Sequence, residues 1–187
     1  MRHSVATAFM TTAALLAVAA RSEVVATSAN AASIRIAVPI AAPPGKVYAS
    51  FLAIGRWWNK EHTYSGDAAN LKLTATPGGC FCESLPGGGG VQHMTVVYVA
   101  PNQRVTLSGA LGPLQSAGIA GSMTFSFVPK DAATELVLVY NFAGSYPNGL
   151  PSIAASVDEV LQSQMARLKR LVETGVADEK AAGPARP

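Results

Sequence analysis

Charged residues are scarce in this chain of 187 residues: Asp, Glu, Lys and Arg make up 13% of it, where about a quarter is usual. The formal net charge is +3, and the basic residues are scattered apart from Arg167, Lys169 and Arg170. Because a nucleic-acid-binding protein concentrates basic residues on one face, we expect no nucleic-acid partner. For the three clustered residues, we favour an interaction with the negative end of a helix dipole over contacts with anionic lipid head groups.

The sequence also lacks an apolar run of the ~20 residues that a membrane-spanning helix needs. The uncharged stretch over residues 5–20 is shorter, follows a basic start, and precedes a small-x-small signal-peptidase pattern at residues 29–31. This order predicts a signal peptide over residues 1–31. The alternatives are a cut nearer Ala20 and an apolar helix that is kept in the fold. We therefore expect an exported protein, periplasmic or secreted, with no stable membrane insertion after cleavage.

Cysteine is nearly absent, since Cys80 and Cys82 in the sequence GGCFCE are the only two. Structural zinc ligands usually come in pairs two to four residues apart, so this pair with His93 is a weak zinc pattern, and we expect no metal and no cofactor. On a strand, alternate residues share a face with Cα atoms ~6.6 Å apart, too far for a relaxed disulfide. We therefore predict two buried free thiols that pack as small apolar groups, in preference to a redox or metal role.

Hydrophobic residues are abundant, at 49% of the chain, which predicts a large core and a possible internal cavity. Seven segments alternate apolar and polar residues in the manner of half-buried strands. They cover residues 33–40, 71–77, 78–85, 91–100, 104–111, 121–129 and 134–144. Turns rich in Pro, Gly, Asn and Asp separate most of them. Strands that follow one another along the chain in this way form an antiparallel sheet.

Two helices are predicted to accompany this sheet. A short helix opens at Pro43, and apolar residues at helical spacing predict a long helix over residues 152–174. Pro151 is placed to begin the long helix, the sequence SVDE at 156–159 matches a capping box, and Gly175 is placed to end the helix. Since the apolar face of a sheet requires a cover, and only this helix is large enough, we expect it to lie across the sheet.

The order of these elements resembles the helix-grip fold of the SRPBCC superfamily, the START-like proteins. Four local sequences resemble its branch of heat-shock ATPase-activator homologues and polyketide cyclase-like proteins. They are IGRWWNKEHTYSGDAANL (54–71), GGCFCE (78–83), HMTVVYVAPNQRVTLSGALGPLQ (93–115) and VDEVLQSQMARLKRLVE (157–173). The resemblance implies an α+β fold in which a curved antiparallel sheet wraps a long C-terminal helix. We predict one such domain over residues 32–175, followed by a disordered tail over residues 176–187.

A helix-grip fold implies an apolar pocket with a few polar groups where the helix does not fill the space above the sheet. The candidate wall residues are large side chains on or near the inward faces: Trp57, Trp58, Tyr64, Phe81, Met94, Phe125 and Tyr140. Two adjacent indoles cannot both face a core from one regular element, so we expect one of the two tryptophans at an entrance of the pocket or under the loop over residues 59–70. The alternative is that all seven residues belong to an ordinary core.

The expected function is the binding of a small hydrophobic ligand, lipid-like or aromatic, by a protein without enzymatic activity. One alternative is an enzyme of the cyclase or dehydratase type. Its candidate acid–base residues are His62, Glu83, His93 and Tyr140, of which two must converge inside the pocket. No spacing in the sequence brings two of them together, so we expect partly exposed histidines without a special role. Another alternative is a protein-binding module, although export separates the chain from the cytosolic partner of the activator-like relatives.

Overall fold

The computed structural model describes residues 20–178 and forms one antiparallel sheet with a long helix. The strands are β1 (Arg21–Ser28), β2 (Ala31–Ile40), β3 (Leu71–Leu73), β4 (Cys80–Ser84), β5 (Gly90–Ala100), β6 (Arg104–Gly109), β7 (Ala120–Lys130) and β8 (Ala133–Ala143). The helices are α1 (Pro44–Leu52) and α2 (Pro151–Thr174), joined to the strands partly by short 3-10 turns. The spatial order of the strands is β1-β2-β8-β7-β6-β5-β4-β3. The predicted fold class is confirmed, and each of the seven predicted strands is present.

The inner face of the sheet is apolar because its strands alternate as the sequence predicts. In β8, every second residue from Thr134 to Phe142 is buried, and β7 follows the same pattern from Met123 to Phe127. The two strands pair along their whole length, with Phe125 opposite Leu138. Side chains that stand on one face of neighbouring strands contact each other, so these residues form a continuous core.

The helix α2 covers this face with a stripe of buried residues at helical spacing, including Leu161, Met165, Leu168 and Val172. It ends as predicted at Gly175, whose φ of 85° is left-handed and whose N–H donates to the carbonyl of Leu171 at 2.9 Å. The predicted capping box at 156–159 is wrong. The helix begins at Pro151, as predicted, so SVDE lies inside it and no side chain caps the helix.

The three clustered basic residues tie α2 to other segments. Arg167 Nε donates to the carbonyl of Trp57 at 2.8 Å, and Arg170 Nε donates to the carbonyl of Ala177 at 2.9 Å. Lys169 Nζ donates to the carbonyl of Pro39. These contacts to specific backbone carbonyls go beyond the expected helix-dipole interaction. They hold the C-terminal half of the helix over the core.

Both ends of the described chain are folded, although the sequence predicted a signal peptide at one end and a disordered tail at the other. The strand β1 falls within the predicted signal peptide and pairs with β2, from Arg21 opposite Ala37 to Ser28 opposite Ala31. At the other end, Ala177 is buried although it falls in the predicted tail. Residues 1–19 and 179–187 lie outside the described residues, so cleavage of the leader and disorder of the tail stay predictions.

The prediction of two buried free thiols at Cys80 and Cys82 is wrong. The register of β4 against β5 shifts between Phe81 and Cys82, which marks a β-bulge. The two cysteine Cα atoms are 5.4 Å apart, closer than in a flat strand, and the sulfurs are joined in a disulfide. Both residues are half-buried. The short Cα distance shows that β4 is bent at Phe81, which a regular strand is not.

Candidate functional site

A cavity of about 430 Å³ lies between the N-terminal half of α2 and one end of the sheet. Most of its wall is apolar. The helix contributes Ile153, Ser156, Val157, Val160 and Leu161. The opposite wall comes from Trp58, Phe81 and His93, and the turn after β6 contributes the segment from Leu111 to Leu114. Exposed side chains of the loop before β3, among them Glu61, His62 and Tyr64, stand at its rim.

The two tryptophans divide between this cavity and the core. Trp57 is 0% exposed and Trp58 is 5% exposed, so neither stands at an entrance. Trp58 instead lies under the loop over residues 59–70, the other expected place, where it contacts His62. A 3-10 turn at Ile54–Arg56 precedes them, and the non-repetitive backbone that follows turns both side chains inward. Each indole N–H has a backbone acceptor, Phe51 for Trp57 at 3.1 Å and His62 for Trp58 at 3.0 Å. Only Trp58 lines the cavity.

The other predicted wall residues divide in the same way. Tyr64 and Phe81 line the cavity, and Tyr64 remains 54% exposed at the rim. Met94, Phe125 and Tyr140 are buried in the core and do not line it. Ligand binding by the lining residues stays a prediction. The helix residues of the wall were missed as ligand contacts, because helical spacing identifies a buried face without showing where that face meets empty space.

Glu83 and His93, two of the acid–base candidates, come within hydrogen-bond reach of each other, and His93 lines the cavity. Glu83 is 2% exposed and His93 is 5% exposed, and Glu83 Oε2 lies 3.0 Å from His93 Nε2. The carboxylate also accepts backbone N–H bonds from Tyr64 at 3.1 Å and from Ser65. The expectation of partly exposed histidines is therefore wrong for His93. Through its bonds to Tyr64 and Ser65, the carboxylate also ties the loop before β3 to the sheet.

A β-bulge in β5, opposite the two cysteines, turns His93 inward. Phe81 pairs with Met94 and Cys82 pairs with Gln92, which leaves His93 as an extra residue between the two pairs. Strict alternation would place His93 and Met94 on opposite faces, but both are buried. A bulge re-aims a side chain in this manner. The sequence gives no direct sign of the bulge.

The environment fixes the charge of each partner. Burial raises the pKa of Glu83, but the hydrogen bonds from Ser65, Tyr64 and His93 outweigh it and leave this pKa below its ordinary value. Burial lowers the pKa of His93, and the neighbouring carboxylate only partly offsets this. At neutral pH, Glu83 is therefore a carboxylate and His93 is a neutral imidazole. A carboxylate can only accept, so the proton of His93 resides on Nε2 and Nδ1 is an acceptor.

The remaining acid–base candidates are not part of this pair: His62 stands at the rim of the cavity and Tyr140 lies in the core. His62 is exposed, and its Nδ1 lies 2.9 Å from Nε2 of Gln164, a buried residue of α2. Tyr140 is fully buried on β8, where its ring stacks on Phe142 with centroids 4.8 Å apart. Burial raises the pKa of Tyr140 to about 12, although the backbone of Leu111 opposes this. Within residues 20–178, no three His, Cys, Asp or Glu side chains come close enough to hold a metal ion.

The architecture of a curved antiparallel sheet around a long C-terminal helix defines a helix-grip fold. Solved structures share it: a conserved protein of unknown function from Enterococcus faecalis has a TM-score of 0.58 at 14% identity, covering 85% of this chain and 80% of that one. An uncharacterised protein from Rhizobium leguminosarum has a TM-score of 0.56 at 17% identity, covering 83% and 98%. The Aha1 dimer from Colwellia psychrerythraea has a TM-score of 0.54 at 17% identity, covering 76% and 97%.

These likenesses agree with the resemblance to the SRPBCC superfamily at the level of the fold. At such low identity, they carry no ligand or activity from one protein to another. No family model matches the chain, and no curated protein matches it. The function is therefore argued from the cavity and its residues.

Proposed function

We propose that this protein binds one small hydrophobic molecule, lipid-like or aromatic, in the cavity between α2 and the sheet. The supporting observation is the cavity itself, whose volume of about 430 Å³ falls within the ~300–1,000 Å³ typical of small-molecule sites. Its wall is mostly apolar and includes the buried His93, whose Nε2 is paired with the buried Glu83. A few polar groups in an apolar wall are the usual composition of such a site. Native mass spectrometry of protein from its own host would identify a retained ligand.

Filling the cavity should abolish this binding. Val160 is a half-buried residue of α2 that lines the cavity, so an indole in its place would occupy the ligand's volume. We expect Val160→Trp to weaken binding of the neutral dye 1-aminoanthracene by about tenfold or more, measured by fluorescence titration. The matched control is Ala155→Trp, which adds the same indole at an exposed position of the same helix outside the cavity wall. Equal loss of affinity in both variants would contradict the proposal.

We also propose that the chain is exported and that its leader is cut near Ala20. This cut would retain β1, which pairs with β2 and whose Ser22 hydroxyl donates to the carboxylate of Asp158 on α2. A cut after Ala31 would leave the edge of β2 with unpaired N–H and C=O groups, an aggregation hazard. We expect the intact mass of the protein recovered from its host to place the first residue within about two positions of Arg21. A mature chain that begins at Ala32, or an uncut chain, would contradict this.

A second candidate function is an acid–base enzyme of the cyclase or dehydratase type. The specific observation in its favour is the hydrogen-bonded pair of Glu83 and His93 at the cavity wall. A neutral imidazole oriented by a carboxylate is suited to accept a proton from a bound substrate. The test is to incubate the protein with the ligand that mass spectrometry identifies and to follow that ligand's mass and structure. An unchanged ligand would leave binding as the function.

A further inference from the structure

The disulfide between Cys80 and Cys82 lies on the outer face of the sheet. Phe81, the residue between them on β4, is buried and lines the cavity, so the two cysteines point the opposite way. Both cysteines are half-buried. Just before them, the space beside Gly78 is open, since no atom lies within 4 Å of the place where a side chain would begin. A thiol from solution can therefore approach this disulfide.

This disulfide does not connect distant parts of the chain. It joins residues two positions apart in a single strand, which is already paired with β3 on one side and β5 on the other. The stabilisation from a cross-link decreases with the length of the loop that it closes, so a bond across one intervening residue contributes little. Exposed disulfides, by contrast, are the ones that exchange with thiols.

The bond also keeps β4 away from the geometry of a regular strand. Residues two positions apart in such a strand have Cα atoms ~6.6 Å apart, whereas those of Cys80 and Cys82 are 5.4 Å apart. Breaking the bond releases the bend at Phe81 and allows β4 to extend, which favours the form with two thiols. A disulfide whose reduced form is favoured oxidises other thiols.

Lys72 supplies a positive charge beside the disulfide. It lies directly opposite Cys82 on β3 and is exposed on the same outer face of the sheet, where opposite residues have Cβ atoms ~4.5–5.5 Å apart. Within residues 20–178, Lys72 forms no ion pair, so no carboxylate neutralises its charge. A neighbouring cation stabilises a thiolate, and a stabilised thiolate leaves a disulfide faster. This favours Cys82 as the leaving group and Cys80 as the sulfur that is attacked.

We propose that Cys80 and Cys82 form a thiol–disulfide exchange site that oxidises the reduced cysteine pair of a peptide or protein. One thiolate of the substrate attacks Sγ of Cys80, which forms a mixed disulfide and releases Cys82 as a thiolate. The second thiolate of the substrate then attacks its own sulfur in the mixed disulfide, which closes the substrate disulfide and displaces Cys80. Two electrons pass from the substrate to the protein, and both cysteines take up a proton from water. This activity is independent of ligand binding in the cavity.

The test is to mix the oxidised protein with an equal amount of a reduced synthetic peptide containing Cys-x-x-Cys, without oxygen or any other oxidant. We expect mass spectrometry after an acid quench to show that the peptide loses the mass of two hydrogen atoms and that the protein gains it. Circular dichroism should show that the reduced protein keeps its fold. Unchanged masses, or unfolding on reduction, would overturn the proposal. Equal oxidation of the peptide by the double variant Cys80→Ser, Cys82→Ser would also overturn it.

A second measurement assigns the role of Lys72. We expect Lys72→Ala to slow the reduction of the disulfide by dithiothreitol by about twofold to fivefold, because an exposed charge stabilises a nearby thiolate modestly. The rate is followed by alkylating the released thiols and measuring the mass of the protein. The matched control is Lys130→Ala, which removes an exposed lysine from β7, a strand not adjacent to β4. Equal rates in the two variants would overturn the assignment of Cys82 as the stabilised leaving group.

Discussion

Replacing Glu83 with alanine is expected to lower the free energy of unfolding by about 3–5 kcal/mol. The carboxylate is buried and accepts hydrogen bonds from three donors: the N–H groups of Tyr64 and Ser65 and Nε2 of His93. Its removal leaves the buried Nε2 of His93 and the part-buried N–H groups of Tyr64 and Ser65 without this acceptor, at up to about 1–3 kcal/mol each before relaxation. Urea denaturation followed by circular dichroism measures the change.

The matched control for this variant is Glu61→Ala, which removes an exposed carboxylate from the same loop. We expect the control to change the free energy of unfolding by less than about 0.5 kcal/mol. The change in the free energy of unfolding for Glu83→Gln should lie between those of the two alanine variants. One carboxylate oxygen becomes an amide NH2 group, which faces a donor and cannot accept its hydrogen bond. A loss below about 1 kcal/mol in Glu83→Ala would mean that the pair does not hold the loop.

The pair of Glu83 and His93 should also make the free energy of unfolding decrease as the pH falls. The hydrogen bonds leave the pKa of Glu83 below its ordinary value, so its stabilising contribution is present above that value and is lost as the pH falls. Burial leaves the pKa of His93 below its ordinary value. As the pH falls, His93 is therefore protonated in the unfolded chain before it is protonated in the folded protein. Both effects lower stability on acidification from about pH 7 to pH 4. In Glu83→Ala, the free energy of unfolding should depend less on pH at the acidic end of this range. Urea denaturation at a series of pH values measures this.

Replacing Trp57 with alanine is expected to lower the free energy of unfolding by about 3–5 kcal/mol as well. The indole is 0% exposed, lies with its centroid 6.2 Å from the ring of Phe51, and donates to the carbonyl of Phe51. Its loss leaves a cavity and an unsatisfied acceptor in the core. The control is Tyr98→Ala on β5, where the aromatic ring is 46% exposed and the expected change is about 1 kcal/mol or less.

Substitutions of the two adjacent tryptophans should also have different effects on ligand binding. Trp58 lines the cavity and Trp57 does not. We therefore expect Trp57→Phe to bind 1-aminoanthracene as the native protein does, while Trp58→Ala binds it more weakly. If Trp57→Phe lost binding while it kept its fold, the division of the pair between core and cavity would be incorrect.

Much of the fold could be predicted because local spacing encodes it. Alternation in Met123, Phe125 and Phe127 reflects the two-residue repeat of a strand, and this repeat holds wherever the strand comes to lie. The end of α2 at Gly175 follows from the left-handed backbone that glycine tolerates. The site was less predictable. Trp58, Tyr64 and Phe81 line the cavity as expected, but Met94 and Tyr140 belong to the core.

The sequence alone determined the strands, the long helix and the apolar face between them, because these depend on neighbours a few residues apart. Only the tertiary structure decided that β1 pairs with the edge of β2, since most of its side chains are exposed and its place comes from backbone bonds to another strand. It also decided the bend of β4 that brings Cys80 to Cys82 and the bulge of β5 that turns His93 toward Glu83. A bulge depends on how two strands pair, so it cannot be read from the alternation of residues within either strand alone.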